Sequence, residues 1–307
     1  MEKRLTTTAM LFSVGFLFML VCAVGAFFYG VKIGSDKIEA KYAAAEEAKS
    51  AGNAATFPYQ QQDLVSFYLT VYSPYRDFQI EWLNAADSLA KGDITDSAAR
   101  FKGLAKLARQ KAEEASSFDM GKSPLLGDAQ HAYIRSLKYF EEAADAASKA
   151  AKSAAPDDLR NSIQKNKAYQ SAVKESLSAQ KAYYASMQKW AASVDPSIPD
   201  DAAASTEPLQ LKEWSKLPLV VKNRIIADYM AARNEMYAFY PHDMASSIDE
   251  FIRSGQASNM KLQTLNAVAD LLLNTKAVRT GDYASVKSRL YAEEMLPQLP
   301  FFYPEPD

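Results

Sequence analysis

The feature that most constrains this chain is an apolar run near its N-terminus, residues 9–31, which contains no charged residue. A helix of this length spans roughly 35 Å, slightly more than the bilayer's hydrocarbon core of about 30 Å. No other stretch of the 307 residues is comparable. The run therefore predicts one transmembrane helix, followed by a large part on its C-terminal side.

Three interpretations of the run compete. A cleavable signal peptide could end at the small residues Val24, Gly25 and Ala26, but the apolar sequence continues beyond them without a polar segment. A lipoprotein anchored through Cys22 would have a small residue just before the cysteine, where this chain has Val21. A retained signal anchor fits the sequence best.

The charges that flank the run indicate its orientation. Lys3 and Arg4, in the short N-terminal tail of residues 1–8, favour a cytoplasmic N-terminus. Lys32, Lys37 and Lys41 on the other side weaken the asymmetry, but long domains translocate largely regardless of charge. We therefore expect the C-terminal part to be extracytoplasmic.

Small residues recur at every fourth position along one face of the predicted membrane helix. This candidate packing face comprises Cys22, Ala26, Gly30 and Gly34. Such a stripe allows two membrane helices to approach closely, which predicts a homodimer through this face. The alternative is that small residues are simply common in membrane helices.

Composition excludes several classes of protein and site. The one cysteine lies inside the apolar run, so the rest of the chain can form no disulfide and no cysteine-ligated zinc site. The absence of Asn-x-Ser/Thr sequences gives no sign of a glycosylated ectodomain and favours a bacterial envelope protein. A formal net charge of −2 gives no basic footprint for nucleic acid.

Motifs for catalysis are missing as well. With only two histidines, His131 and His242, neither in an HExxH arrangement, most histidine-based sites cannot be built. The sequence contains no glycine-rich phosphate loop and no GxSxG motif. We therefore expect a protein that is not an enzyme and that has no cofactor and no metal site.

Beyond the membrane segment, apolar residues follow helical spacing throughout, which predicts an all-α fold. Residues 32–57 are expected to form a juxtamembrane helical stalk and linker, and residues 58–193 a helical bundle with a long antiparallel hairpin. Residues 194–208 have the composition of a linker, and residues 209–307 form a second helical segment with a tail rich in proline and aromatic residues. The sequence leaves open whether these segments make one bundle or two.

Two local patterns refine this prediction. The clearest seam steps by four and three residues in a helix expected over residues 125–154, with its partner helix over 156–193. A kink or break is expected at Ser73-Pro74. The seam consists of Tyr133, Leu137, Phe140, Ala144, Ala147 and Ala151.

Aromatic residues supply the candidate binding sites. One set could line a groove for a sugar, a peptide or a small ligand, although aromatic residues at helical spacing usually belong to the core. A second set, in the tail, could either pack on the bundle or act as a recognition peptide. The groove candidates are Tyr68, Tyr72, Tyr75, Trp82, Tyr183, Tyr184 and Trp190, and the tail candidates are Phe301, Phe302 and Tyr303.

These observations support two hypotheses about function. The first is a membrane-anchored, non-enzymatic extracytoplasmic protein that acts as a scaffold or interaction module of the cell envelope, with the lipid bilayer, a second copy and an envelope protein as partners. The alternative is an extracytoplasmic ligand-binding or sensory domain that uses an aromatic-lined pocket between helices.

Overall fold

The computed structural model describes residues 57–92, 95–201 and 208–303. Residues 58–307 belong to one compact unit. The predicted membrane helix of residues 9–31, its packing face (Cys22, Ala26, Gly30 and Gly34) and the stalk up to residue 56 lie outside the described residues. Among the residues that are described, no helix is long and apolar enough to cross a membrane.

The first half of the domain contains its longest helices. Helix α1 continues through a π-helix into α2, and four further helices follow in this half of the chain. Their bounds are α1 Gln61–Phe67, the π-helix Tyr68–Tyr72, α2 Ser73–Ala90, α3 Ser97–Ser116, α4 Pro124–Ala150, α5 Pro156–Lys165 and α6 Lys167–Val194.

The second half contains shorter helices. They are α7 Leu211–Trp214, α8 Leu219–Arg233, α9 Pro241–Arg253, α10 Gln256–Asn259, α11 Leu265–Asn274 and α12 Asp282–Leu290. The described ranges contain no strand, only one isolated antiparallel bridge between Gln210 and Thr264. The prediction of an all-α helical bundle is confirmed for this part of the chain.

The helix expected over residues 156–193 is divided at Asn166. The backbone of Asn166 is extended, with φ −69° and ψ 125°, and its side-chain oxygen accepts a hydrogen bond of 3.1 Å from the amide of Tyr169. A side chain that caps the following turn competes with continuation of the helix through its own position. The prediction of one uninterrupted helix was therefore wrong, because Asn166 ends α5 and caps the N-terminus of α6.

The expected kink at Ser73-Pro74 takes a different form. The chain stays helical through Pro74, and the turn before it widens into the π-helix, in which the amide of Ser73 bonds to the carbonyl of Tyr68. Proline normally clashes with the carbonyl four residues earlier and lacks an amide to bond to it. The wider turn lets the helix pass Pro74 without a break, so the predicted kink or break is replaced by a π-helix.

Helix α4 lies at the centre of the domain, between α3 and α6. The predicted seam residues from Tyr133 to Ala147 are buried, with exposed fractions of 3 % or less. Helix α8 packs on α6, and α9 packs on both α8 and α12. The helices of the predicted second segment thus lie directly against the first bundle, and one buried cluster runs through both.

Candidate functional site

The seven aromatic residues predicted to line a groove lie mostly in the interior. Tyr72, Tyr75, Trp82, Tyr183 and Tyr184 have exposed fractions of 2 % or less, whereas Tyr68 and Trp190 are half-buried. Ring centroids are 5.0 Å apart for Tyr72 and Tyr183, and Trp82 stacks on Tyr169 at 5.6 Å. Most of these rings therefore belong to the core, as the alternative interpretation of the sequence expected. A ligand-binding role for the whole set stays a prediction.

The C-terminal tail, defined here as residues 296–303, packs on the bundle. Leu296, Leu299 and Phe302 are buried, so that every third residue points inward, while Phe301 is half-buried and Tyr303 is 37 % exposed. Of the two arrangements that the sequence allowed for the tail, packing and exposed recognition peptide, the structure therefore shows packing.

Polar contacts hold the tail at both of its ends. Gln61 in α1 exchanges two hydrogen bonds with the backbone of Gln298, with distances of 3.3 and 3.1 Å. At the other end, Lys287 Nζ and Tyr283 Oη in α12 donate to the carbonyl of Phe302 at 2.7 and 3.3 Å. The tail therefore connects the first and last helices of the domain.

Four rings of the bundle form a cage around the ring of Phe301, which also contacts its neighbour Phe302 at a centroid distance of 4.5 Å. Its centroid is 5.6 Å from that of Tyr68 and 5.8 Å from that of Tyr72, both in the π-helix. It is 5.6 Å from Tyr240 and 5.1 Å from His242, and is nearly parallel to both. The π-helix places Tyr68 and Tyr72 on the same side of this cage, with their own ring centroids 6.1 Å apart.

A buried arginine adjoins the cage. Arg76 is 6 % exposed, and its Cζ lies 4.2 Å from the ring centroid of Tyr240. Its Nη1 donates to Gln79 Oε1 at 2.6 Å and its Nη2 to the carbonyl of Ala238 at 2.7 Å, both neutral acceptors. Its Nε has no hydrogen-bond partner. A buried charge that is paired only with neutral groups is costly, and such groups concentrate at functional sites.

The hydroxyl of Tyr72, whose ring contacts Phe301, is a second buried polar group that has no hydrogen-bond partner. Tyr72 is 1 % exposed, and burial raises the pKa of its hydroxyl far above the usual value, although the positive charge of Arg76 acts against this shift. The Tyr184 hydroxyl also favours ionisation of Tyr72, and it shares a hydrogen bond of 3.1 Å with His242 Nδ1.

His242 completes the site as a neutral group. It is 2 % exposed, and burial, followed by the charge of Arg76, holds the pKa of its imidazole well below the usual value. We call the set Tyr68, Tyr72, Arg76, Tyr240 and His242 the tail site, because the ring of Phe301 occupies it. It combines an apolar cage, one uncompensated positive charge and two polar atoms without partners.

Sequence reasoning found only part of the tail site. Tyr68, Tyr72 and Phe301 were among its candidates, whereas Arg76 and Tyr240 were not, and His242 was assigned no site. One signal was present: Arg76 follows Tyr72 by four residues, which puts an arginine on the buried face of its helix. The approach of Tyr240 and His242 from α9 and the turn before it depends on tertiary packing.

A second buried polar cluster centres on Asp249. Its carboxylate accepts hydrogen bonds from Trp214 Nε1 at 2.7 Å, Lys222 Nζ at 2.8 Å and Tyr291 Oη at 2.6 Å. Because these contacts join four segments of the second half, the cluster serves the packing of the domain. Within the part of the chain that the structure describes, no group of three histidine, cysteine, aspartate or glutamate side chains could hold a metal ion.

The surface has an open depression of about 400 Å³ between α4, α6 and α8, lined by His131, Arg135, Lys181 and Arg224 among others. Its positive charges are already matched. Arg135 pairs with Glu175, Lys181 and Arg224 share Asp228, and the carboxylate of Asp128 also lines the depression. The depression therefore presents little net charge to a ligand.

Comparisons with known proteins add no relative. No family model matches the chain, and neither the curated proteins nor the solved structures give a significant match.

Proposed function

We propose that this chain is a single-pass, membrane-anchored, non-enzymatic extracytoplasmic protein that serves as a scaffold or interaction module of a bacterial cell envelope. The apolar run of residues 9–31 supports the anchor, and its small-residue face supports a homodimer within the membrane. The observation that carries the interaction role is the way in which the helical domain holds its own tail.

The tail is held as an interaction domain holds a partner peptide. Side chains of Gln61, Tyr283 and Lys287 bond to the peptide backbone of the tail, while Leu299 and Phe302 fill buried positions. Backbone bonds combined with pockets for a few anchoring side chains are the usual elements of peptide recognition. A partner with a similar proline- and aromatic-rich segment could replace the tail.

Exchange of the tail tests this proposal. A tethered tail competes at an effective concentration in the millimolar range, so a free labelled peptide LPQLPFFY should bind the wild-type chain weakly. Phe301→Ala weakens the tethered tail and should increase binding of the peptide by about tenfold, measured by fluorescence anisotropy on the full-length protein.

Phe118→Ala is the matched control, because Phe118 is an exposed phenylalanine that belongs to neither the tail nor the tail site. It should bind the peptide as weakly as the wild-type protein. Equal binding of a scrambled peptide, or no binding to the Phe301→Ala variant, would contradict the interaction role.

A second function, a ligand-binding or sensory domain, is favoured by one specific observation. Arg76 Nε and Tyr72 Oη are buried without hydrogen-bond partners, in two residues that adjoin the cage: Arg76 lies over the ring of Tyr240, and the ring of Tyr72 contacts Phe301. Buried polar atoms without partners are uncommon in native structures, and a bound ligand would supply the missing partners here.

A further inference from the structure

We propose that the tail site binds a small aromatic carboxylate, whose ring replaces that of Phe301 and whose carboxylate bonds to Arg76 Nε and Tyr72 Oη. This inference rests on the second function proposed above, the ligand-binding domain. It names the chemical class of the ligand and the two atoms that recognise its charge.

The geometry of the cage selects a flat aromatic ring. Four rings of the bundle surround Phe301 at centroid distances of 5.1 to 5.8 Å, and Phe301 lies within 20° of parallel with Tyr240 and His242. Offset stacking and tilted contacts at these separations are favourable for aromatic rings. A ligand ring in the same place would keep all four contacts.

The charge of the site selects an anion. An aromatic cage alone would suit a cation such as a quaternary ammonium group. Here the guanidinium of Arg76 lies against Tyr240, one of the cage rings, and no anion compensates it among its hydrogen-bond partners. It would repel a cationic ligand, whereas a carboxylate would supply the negative charge and the acceptor that Arg76 Nε and Tyr72 Oη lack.

Two residues connect the charge of Arg76 to the cage around Phe301. Tyr240 contacts the ring of Phe301 at 5.6 Å and the guanidinium of Arg76 at 4.2 Å, so the charge and the cage share a wall. Tyr72 likewise has its ring against Phe301, and after burial the charge of Arg76 is the largest influence on its hydroxyl. We therefore expect a ligand whose carboxylate is joined to its aromatic ring by a short linker.

The occupant of the cage can leave without unfolding the tail. Phe301 is half-buried, whereas its neighbour Phe302 is fully buried and its carbonyl is held by Lys287 and Tyr283. Rotation of one side chain towards solvent would empty the cage while Phe302 stays in place. The tail therefore acts as a weak internal competitor for the ligand.

The test uses 3-phenylpropionate and its uncharged amide, titrated calorimetrically into the full-length wild-type chain and the Phe301→Ala variant. We expect the acid to bind the variant about tenfold more tightly than the wild type, because the competing ring is gone. We expect the amide to bind at least tenfold more weakly than the acid, because a charge-assisted hydrogen bond is lost. N-Acetylphenylalanine, run alongside, distinguishes a free aromatic acid from the C-terminus of a peptide.

Tyr72→Phe and Tyr75→Phe form a matched pair in the same titration. Both remove a buried hydroxyl that lacks a hydrogen-bond partner, so neither should impair folding. Only Tyr72 touches Phe301, so Tyr72→Phe should weaken binding of the acid by about tenfold and Tyr75→Phe should leave it unchanged.

Three results would overturn the inference: equal binding of the acid and the amide, an unchanged affinity in Tyr72→Phe, or no binding of the acid to Phe301→Ala at millimolar concentration. The interaction function is tested by a different measurement, the binding of the labelled tail peptide. Peptide binding without acid binding would reject this inference and leave the interaction role intact.

Discussion

At Asp249, donors from an indole, an ammonium group and a phenol converge on one buried carboxylate. Lys222 and Asp249 are 6 % and 8 % exposed, so water cannot solvate either charge if its partner is removed. The next residue, Glu250, pairs with Arg289 at the surface, where both side chains are roughly half-exposed. Two adjacent carboxylates thus differ mainly in their burial.

We therefore predict that Asp249→Asn lowers the free energy of unfolding by about 3–5 kcal/mol, because it leaves the ammonium group of Lys222 buried and unpaired. Glu250→Gln, its neighbour, should cost less than about 1 kcal/mol. Urea unfolding of the two variants and the wild type measures both values. A similar cost for the two changes would show that the Asp249 network does not stabilise the domain.

His242 predicts a dependence of stability on pH. Burial and the charge of Arg76 lower the pKa of its imidazole in the folded state, so the unfolded chain takes up a proton first as pH falls. Its contribution to stability is present above the unfolded pKa of about 6.5 and is lost below it, by up to about 1.4 kcal/mol per pH unit. The carboxylate of the next residue, Asp243, accepts hydrogen bonds from the backbone amides of Tyr240, Gly281 and Tyr283.

The measurement is urea unfolding at pH 7.5, 6.5 and 5.5. Stability should fall between the last two values in the wild type, and His242→Gln should flatten that fall. His131→Gln, which changes an exposed histidine, should keep the wild-type slope. An unchanged slope in His242→Gln would assign the pH dependence to another group.

At the scale of elements, the tail acts as a structural part of the domain. Phe302→Ala should cost about 3–5 kcal/mol of stability, because a fully buried phenylalanine leaves a cavity when truncated. Phe118→Ala, at a phenylalanine that is 45 % exposed, should cost less than about 1 kcal/mol. Thermal unfolding of both variants checks the difference, and equal melting temperatures would mean that the tail packs only loosely.

The sequence predicted the helices better than it predicted their contacts. The seam around Phe140 identified α4 correctly, because the spacing of apolar residues along a helix shows which of its faces is buried. The division at Asn166 was missed because one capping side chain outweighed a continuous apolar stripe. The tail site could be predicted only in part, since its members come from positions up to 174 residues apart and meet through tertiary packing alone.

At the scale of the whole molecule, the described helices share one buried cluster. This predicts that the domain unfolds in a single transition. By hydrogen exchange, the slowest amides of α4 and α9 should open with the same free energy, because both require global unfolding. A lower value in α9 would instead divide the chain near residues 194–208, where the sequence predicted a linker.

The location of the domain is also a prediction for the whole chain. If residues 9–31 anchor it with the N-terminus inside, protease added to intact cells stripped of their wall should digest the domain without lysis. A cytoplasmic protein probed in the same sample supplies the control. Protection of the domain until lysis would place it in the cytoplasm and redirect the search for partners there.

The link between Gln61 and Gln298 spans 237 residues, so the first helix of the domain makes a contact that only its final residues can supply. Contacts of such long sequence separation form late, because the chain must close a large loop before they are gained. A ribosome synthesises the domain from Gln61 onwards, so its helices can associate well before residues 296–303 exist. During that interval the cage around Phe301 lacks its covering ring, and a nascent chain would expose it to chaperones and to any ligand present.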